Sequence, residues 1–177
     1  VPPGVVIPAA ECLVYLGNSH KPATQLLQLG GLADRILSHF MQQVAPSFGH
    51  MPLLSVRSGA RVSMPGMMDT LLNVGLHIHN YSYWQDRLGE QAVEECARRL
   101  KSTYRDLVGD DLPDTLRHQL IGAIGAVFNS WNSERAKEYR RLHGYPDDWG
   151  TAVTVQSMVF GNLNEQSCSG VLFTRDP

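Results

Sequence analysis

Cysteine is scarce in this sequence: Cys12, Cys96 and Cys168 are odd in number and far apart. That count suits free thiols in a reducing compartment better than a disulfide framework or a cysteine-built zinc site. Long apolar runs are missing, so no membrane span is expected, nor a signal peptide at the start. An excess of one charge is missing as well. Fifteen Lys and Arg stand against 17 Asp and Glu, a net charge of -2, and the basic residues are scattered rather than striped. Binding nucleic acid through its backbone requires a sustained basic surface that displaces counterions, so neither nucleic acid nor a membrane is an expected partner. There is no internal repeat and no low-complexity tract. What remains is 177 residues, 43% of them hydrophobic, enough to bury a core and fold as a module with an expected cytoplasmic location.

The hydrophobic periodicity changes along the chain. Val5-Val6-Ile7 follows a Pro-Gly turn and reads as a short strand, and Pro8 to Leu16 begins a helix that Gly17 to Pro22 breaks. Asp34 to Val44 has helical spacing, and Pro52 to Val56 is a second short apolar strand. From Tyr83 to Val108, Trp84, Leu88, Ala92, Cys96, Leu100, Tyr104 and Leu107 recur almost every fourth residue, which predicts one long amphipathic helix ending at Gly109. Pro113 stands near the start of the next helix, whose buried stripe runs from Leu116 through Leu120, Ile124, Val127 and Phe128 to Trp131. Ser133 is the expected cap of a third helix. Thr151 to Phe160 alternates as a strand, and Gly170 to Thr174 is its expected antiparallel partner across a turn. The fold class is therefore α+β, with strands and helices partly segregated.

One stretch has unusual chemistry. Ser55-Val-Arg-Ser-Gly-Ala60 delivers Arg57 from an apolar strand and follows it with small residues, and Ser63-Met-Pro-Gly-Met-Met-Asp-Thr70 comes next. Small residues let a backbone approach a ligand and present its N–H groups, and a guanidinium offers planar donors that match phosphate oxygens. The GxxxxGK[ST] pattern is absent, so this is not a Walker loop. On residue chemistry alone, a surface arginine on an ordinary strand-to-loop turn stays open beside a phosphate-binding loop. Met67, Met68 and Met158 read equally as core filler. Gly66 reads as a turn residue after Pro65, and Asp69 as the cap of a following helix. Among the histidines only His77 and His79 have a ligand-like spacing, and nothing nearby completes a metal site.

Leu54-Ser-Val-Arg-Ser-Gly-Ala60 with Val62-Ser-Met-Pro-Gly-Met-Met-Asp-Thr-Leu-Leu-Asn-Val-Gly-Leu76 resembles the signature of pyruvate phosphate dikinases. Ala126 to Arg141, Trp149 to Asn162 and Ser169 to Pro177 resemble further blocks of that family in the same order, and Val1-Pro-Pro-Gly4 fits the start. The resemblance implies an incomplete ATP-grasp-like nucleotide-binding domain with a helical insertion. Its parts are a first portion carrying the phosphate loop (1–76), a helical segment (77–146) and an adenine-side β-hairpin (147–177). It implies the reaction of ATP, pyruvate and phosphate to AMP, phosphoenolpyruvate and pyrophosphate, through a phosphohistidine on a separate swivelling domain. Carried over by position, Arg57 contacts the polyphosphate as the catalytic residue. Gly66, Met68 and Thr70 line the nucleotide site, and Gln156, Met158 and Val159 meet the adenine. Arg175 falls in the family's Phe-Thr-Arg run, with ligand contact and structural ion pair both open, and Cys168 replaces the usual glycine of the hairpin.

The implied cofactors are ATP and magnesium, with the magnesium ligands expected outside this chain. The implied partners are ATP, the swivelling domain and a possible homodimer. The start without methionine and the end at Asp176-Pro177 lead us to expect a fragment that does not complete the reaction alone. A stand-alone nucleotide-binding or regulatory module, and a helical interaction protein built on Tyr83 to Leu142, are the competing classes. Because the family's phosphate-binding lysine and acidic ligands are expected beyond the two ends, ATP affinity should be weak. Isothermal titration showing tight, magnesium-dependent binding to this chain contradicts that expectation.

Overall fold

The computed structural model describes residues 1–161, 166–168 and 170. Four strands form one antiparallel sheet in the order β1 (Gly4–Ile7), β4 (Ala152–Ser157), β2 (Leu54–Gly59), β3 (Thr70–Val74). Between β1 and β2 lie α1 (Ala9–Gly17), α2 (Pro22–His39), a π-helical turn (Phe40–Val44) and α3 (Ala45–Phe48). Between β3 and β4 lie α4 (Tyr81–Leu88), α5 (Glu90–Val108), α6 (Leu116–Ser130), α7 (Glu134–His143) and a 3-10 turn (Asp147–Trp149). The architecture is α+β, with the second helical group inserted between two strands of the sheet.

Strand alternation separates the two faces of the sheet. Ile7, Val56, Leu71, Val153 and Val155 point to the inner face and are almost fully buried. They pack beneath α6, whose Leu120, Ala123, Ile124, Val127 and Phe128 are buried in the same core. Paired residues of an antiparallel ladder share a face. The pairs Arg57↔Thr154, Arg57↔Thr70 and Val6↔Thr154 therefore form one row across the outer face, and Ser55↔Gln156 begins the next.

Polar side chains fix the corners of the core. Gln119, fully buried, accepts from the Gly75 N–H at 2.8 Å and donates to the carbonyls of Leu76 and Pro113. It thereby ties the end of β3 to the start of α6, and both ends of its own buried amide are paired. Arg140, 1% exposed, donates to the Trp131 carbonyl and to Asp147, and its guanidinium lies 4.1 Å from the Trp131 ring centroid. That one side chain closes the α6–α7 corner against the 3-10 turn.

Several elements differ from what the sequence predicts. The helix expected over Asp34–Val44 is the end of a longer one that starts at Pro22, where proline fits the first turn, and its last residues widen into the π-helical turn. The single helix expected from Tyr83 to Val108 is two. Gly89 sits at φ +84 and ψ 153, a conformation that side-chain-bearing residues avoid, and separates α4 from α5. Both helices turn apolar residues toward one core, so the periodicity carries across the break. Pro113 stands near the start of the next helix as expected, two residues before Thr115, which caps α6 by accepting from the His118 N–H at 3.3 Å. Ser133 caps α7 as expected, accepting from Ala136 N–H.

Asp69 caps no helix, since a strand follows it. That strand, β3, carries a bulge between its pairings Val56↔Leu71 and Leu54↔Val74, with Asn73 at φ +61. His77 and His79 lie in the loop after it rather than on a strand face; the His79 N–H donates to His77 Nδ1. β4 is shorter than the Thr151–Phe160 reading, and its expected partner from Gly170 to Thr174 lies, apart from Gly170, outside the described residues.

Two glycine substitutions test this packing with opposite signs. A Cβ on Gly122 of α6 would lie 2.0 Å from the Tyr104 hydroxyl of α5, whereas one on Gly31 of α2 meets nothing within 4 Å. Gly122→Ala should lower unfolding stability by about 1–3 kcal/mol through overpacking. Gly31→Ala should raise it by about 0.5–1 kcal/mol through backbone entropy and helix propensity. Urea midpoints of the two variants check both.

Candidate functional site

The outer face of the sheet gathers three of the predicted residues. Arg57 on β2, Thr70 on β3 and Gln156 on β4 are neighbours there, although 99 residues separate Arg57 from Gln156. The Arg57 guanidinium is exposed and donates to Gln156 Oε1. Gln156 in turn donates from Nε2 to the Pro2 carbonyl at 2.8 Å, so the amide is oriented by the segment leading into β1. No carboxylate is paired with Arg57 among the described residues. Elsewhere Arg98, Arg117, Arg140 and Arg141 each engage an acid.

The loop from Ala60 to Asp69 leaves β2 and returns as β3. Its tip is a tight turn in which the Met67 N–H donates to the Met64 carbonyl at 3.1 Å, with Pro65 and Gly66 in the central positions. Gly66 has φ +72, which a type II turn requires at that place, and its Cβ position is open on all sides. Met64 is 7% exposed and belongs to the core, so only part of the methionine run faces outward. Met68 is half-buried, with its sulfur 3.9 Å from the Ser130 hydroxyl.

Beside β3 the outer face continues into a cleft of about 580 Å³ between the strand and α5, with Thr70, Leu72, Asn73, Cys96, Met158 and Phe160 in its walls. Burial raises the Cys96 thiol above its ordinary pKa, so that wall is neutral. At the mouth, hydrogen bonds from Arg98 and then Arg99 hold the Glu95 carboxyl below its ordinary range. The cleft is an apolar slot with a charged rim, a form suited to a flat, partly polar ligand.

Met158 lies in the cleft wall, its sulfur accepting from the Asn73 N–H at 3.1 Å. Val159 is 69% exposed, beyond the end of β4. The backbone N–H groups of Ser157 and Met158 already donate to the carbonyls of Pro3 and Leu53, so the strand edge offers a ligand nothing from these two donors. Gly66 and Val159 touch none of the other predicted residues through a described hydrogen bond. Arg175 lies outside the described residues.

The structure also brings in residues that no pattern in the sequence singled out. Arg135 of α7 donates to the Met67 carbonyl at 3.2 Å and forms an ion pair with Asp69. The Arg61 guanidinium stands 5.5 Å from the Trp149 ring centroid. Asn73 and Phe160 complete the cleft. All four lie inside or beside the quoted sequence blocks, but no spacing rule links Arg135 to a loop 66 residues earlier.

Residues 30–177 match the family described as pyruvate phosphate dikinase, AMP/ATP-binding domain. The whole chain is 36% identical over 225 residues to a pyruvate, phosphate dikinase of Rhizobium meliloti (strain 1021), covering 25% of that protein. It is 35% identical over 232 residues to a pyruvate, phosphate dikinase of Clostridium symbiosum, covering 26% of it. It is 34% identical over 230 residues to pyruvate, phosphate dikinase 2 of Oryza sativa subsp. japonica, covering 25%. The chain thus spans about a quarter of the length of these relatives. Each alignment is longer than the 177 residues present here, so the relatives carry residues within this region that have no counterpart in the chain.

Proposed function

The chain belongs to the pyruvate phosphate dikinase AMP/ATP-binding domain family, and from that premise we propose that it holds ATP on the outer face of its sheet, with Arg57 gripping the polyphosphate. The observation that carries this reading is the state of Arg57, an exposed guanidinium whose hydrogen-bond partner is a neutral amide. A phosphate oxygen carries a negative charge that the Gln156 amide lacks and can pair with the planar guanidinium through two N–H groups at once, so an incoming nucleotide can displace Gln156. Gln156, still held through Nε2 by the Pro2 carbonyl, then swings its Oε1 away from the guanidinium, free to accept from an N–H of the base. The base enters the cleft beside Met158, which supplies apolar cover, with Val159 at the edge. Gly66 and Met68 shape the loop side, and Thr70 offers a hydroxyl in the same row as Arg57.

The wider reading is an ATP-grasp-like domain that supplies the nucleotide-binding part of a phosphotransferase. In such a parent enzyme ATP, pyruvate and phosphate become AMP, phosphoenolpyruvate and pyrophosphate, with a swivelling phosphohistidine domain as the acceptor and a possible homodimer as the assembly. The three segments 1–76, 77–146 and 147–177 serve as phosphate-loop part, helical insertion and adenine-side part. This chain alone is not expected to turn over. Among the described residues no group of three or more His, Cys, Asp or Glu is placed to hold a metal ion, so these residues do not by themselves fit a magnesium site. No helix of the described residues is long and apolar enough to cross a membrane.

Thermal unfolding tests the reading. ATP at ten times its dissociation constant should raise the midpoint by about 3–6 °C for a chain of this size. Arg57→Ala, at an exposed position, should change ligand-free stability by less than about 1 kcal/mol and abolish most of the ATP shift. AMP, with a shorter anionic tail, should lose less to the substitution than ATP does. An equal ATP shift in wild type and Arg57→Ala contradicts the role given to the guanidinium.

A further inference from the structure

Ten residues separate the end of β2 from the start of β3, and a free loop of that length samples many conformations. Ordering it when a ligand arrives weakens binding, and holding it beforehand removes that cost. This loop is held at several points. Met64 is buried in the core, and the Met64–Met67 turn closes its tip. Arg61, on the outgoing limb, lies over Trp149. The returning limb is held from α7, where Arg135 donates through Nε to the Met67 carbonyl and through a terminal nitrogen to the Asp69 carboxylate.

Arg135 is well placed for this. It stands in the first turn of α7, two residues after the Ser133 cap, on a helix that also carries the buried Arg140. Its planar fork reaches a carbonyl and a carboxylate two residues apart through two nitrogens held in fixed relation. Asp69 is mostly covered, its side chain 16% exposed, and it directly precedes Thr70, the cross-strand neighbour of Arg57. A pull on Asp69 is therefore a pull on the row that holds the guanidinium.

We propose that Arg135 is a positioning residue for nucleotide phosphates: from α7 it clamps the Met67–Asp69 limb so that the loop beside Arg57 is set before the ligand binds. The inference rests on the nucleotide reading above and adds a part of the site that touches no ligand. The clamp acts on the phosphate end alone. The cleft for the base is built from β3, α5 and the residues after β4, and Arg135 contributes nothing to its walls.

The test is calorimetric titration of this chain with ATP and, separately, with adenosine, which has no phosphate. Arg135→Gln should weaken ATP binding by about tenfold while leaving adenosine within about twofold. Asp69→Asn, nearly the same shape, should do the same and guards against a variant that fails to fold. Exchanging the charges (Arg135→Asp with Asp69→Arg) should recover part of the ATP affinity. Trypsin cleavage after Arg61 should speed up in both single variants while the global unfolding midpoint stays put. If wild type binds ATP and either variant binds it equally well, the clamp is wrong and the nucleotide reading stands. ATP and adenosine weakening by the same factor also overturns it, since that marks a general structural role. If wild type binds no ATP, the nucleotide reading falls and takes the clamp with it.

Discussion

Everything on the outer face depends on one pairing, that of β4 against β2. Its register sets Gln156 opposite Ser55 and Thr154 opposite Arg57, joining segments about one hundred positions apart. A slip of one residue would turn Arg57 and Gln156 toward opposite faces and drive Val153 and Val155 out of the core. The burial of those valines, with Val56 and Leu71, is therefore what fixes the guanidinium in its place. Hydrophobic packing on one side of the sheet specifies polar chemistry on the other.

The same logic explains how the separated sequence blocks belong together. Leu54–Leu76 supplies two strands and the loop between them, and Ala126–Arg141 supplies the α6–α7 corner that holds the loop through Ser130 and Arg135. Trp149–Phe160 supplies the strand that Arg57 leans on and the ring beneath Arg61. The relatives are longer within this region, yet the contacts among these blocks require only that the helices between them return the chain to the sheet. The α4–α6 segment does so with a Gly89 break and the buried Gln119.

Much of the architecture was legible because it is local. Strand alternation, Gly109 at the end of α5, and the Ser133 cap are each decided within a few residues. What stayed hidden was decided by partners distant in sequence. Nothing within Thr70–Val74 distinguishes a short strand from the first turn of a helix; its pairing with β2 decides. The Tyr83–Val108 stripe was legible as apolar periodicity, while the positive φ of Gly89 within it was not, because glycine tolerates both outcomes. Arg57 was readable as a guanidinium in a small-residue setting. Its neutral partner, and the hold of Arg135 on Asp69, follow only from where β4 and α7 come to rest.

The central claim is that Arg57 rests on an amide until an anion replaces it. A crystal structure of this chain with a non-hydrolysable ATP analogue tests it most directly. The account predicts phosphate oxygens within hydrogen-bonding distance of the Arg57 guanidinium, the Gln156 side chain swung away from it, and the base in the cleft beside Met158. An analogue bound elsewhere, with the Arg57–Gln156 hydrogen bond intact, would contradict it.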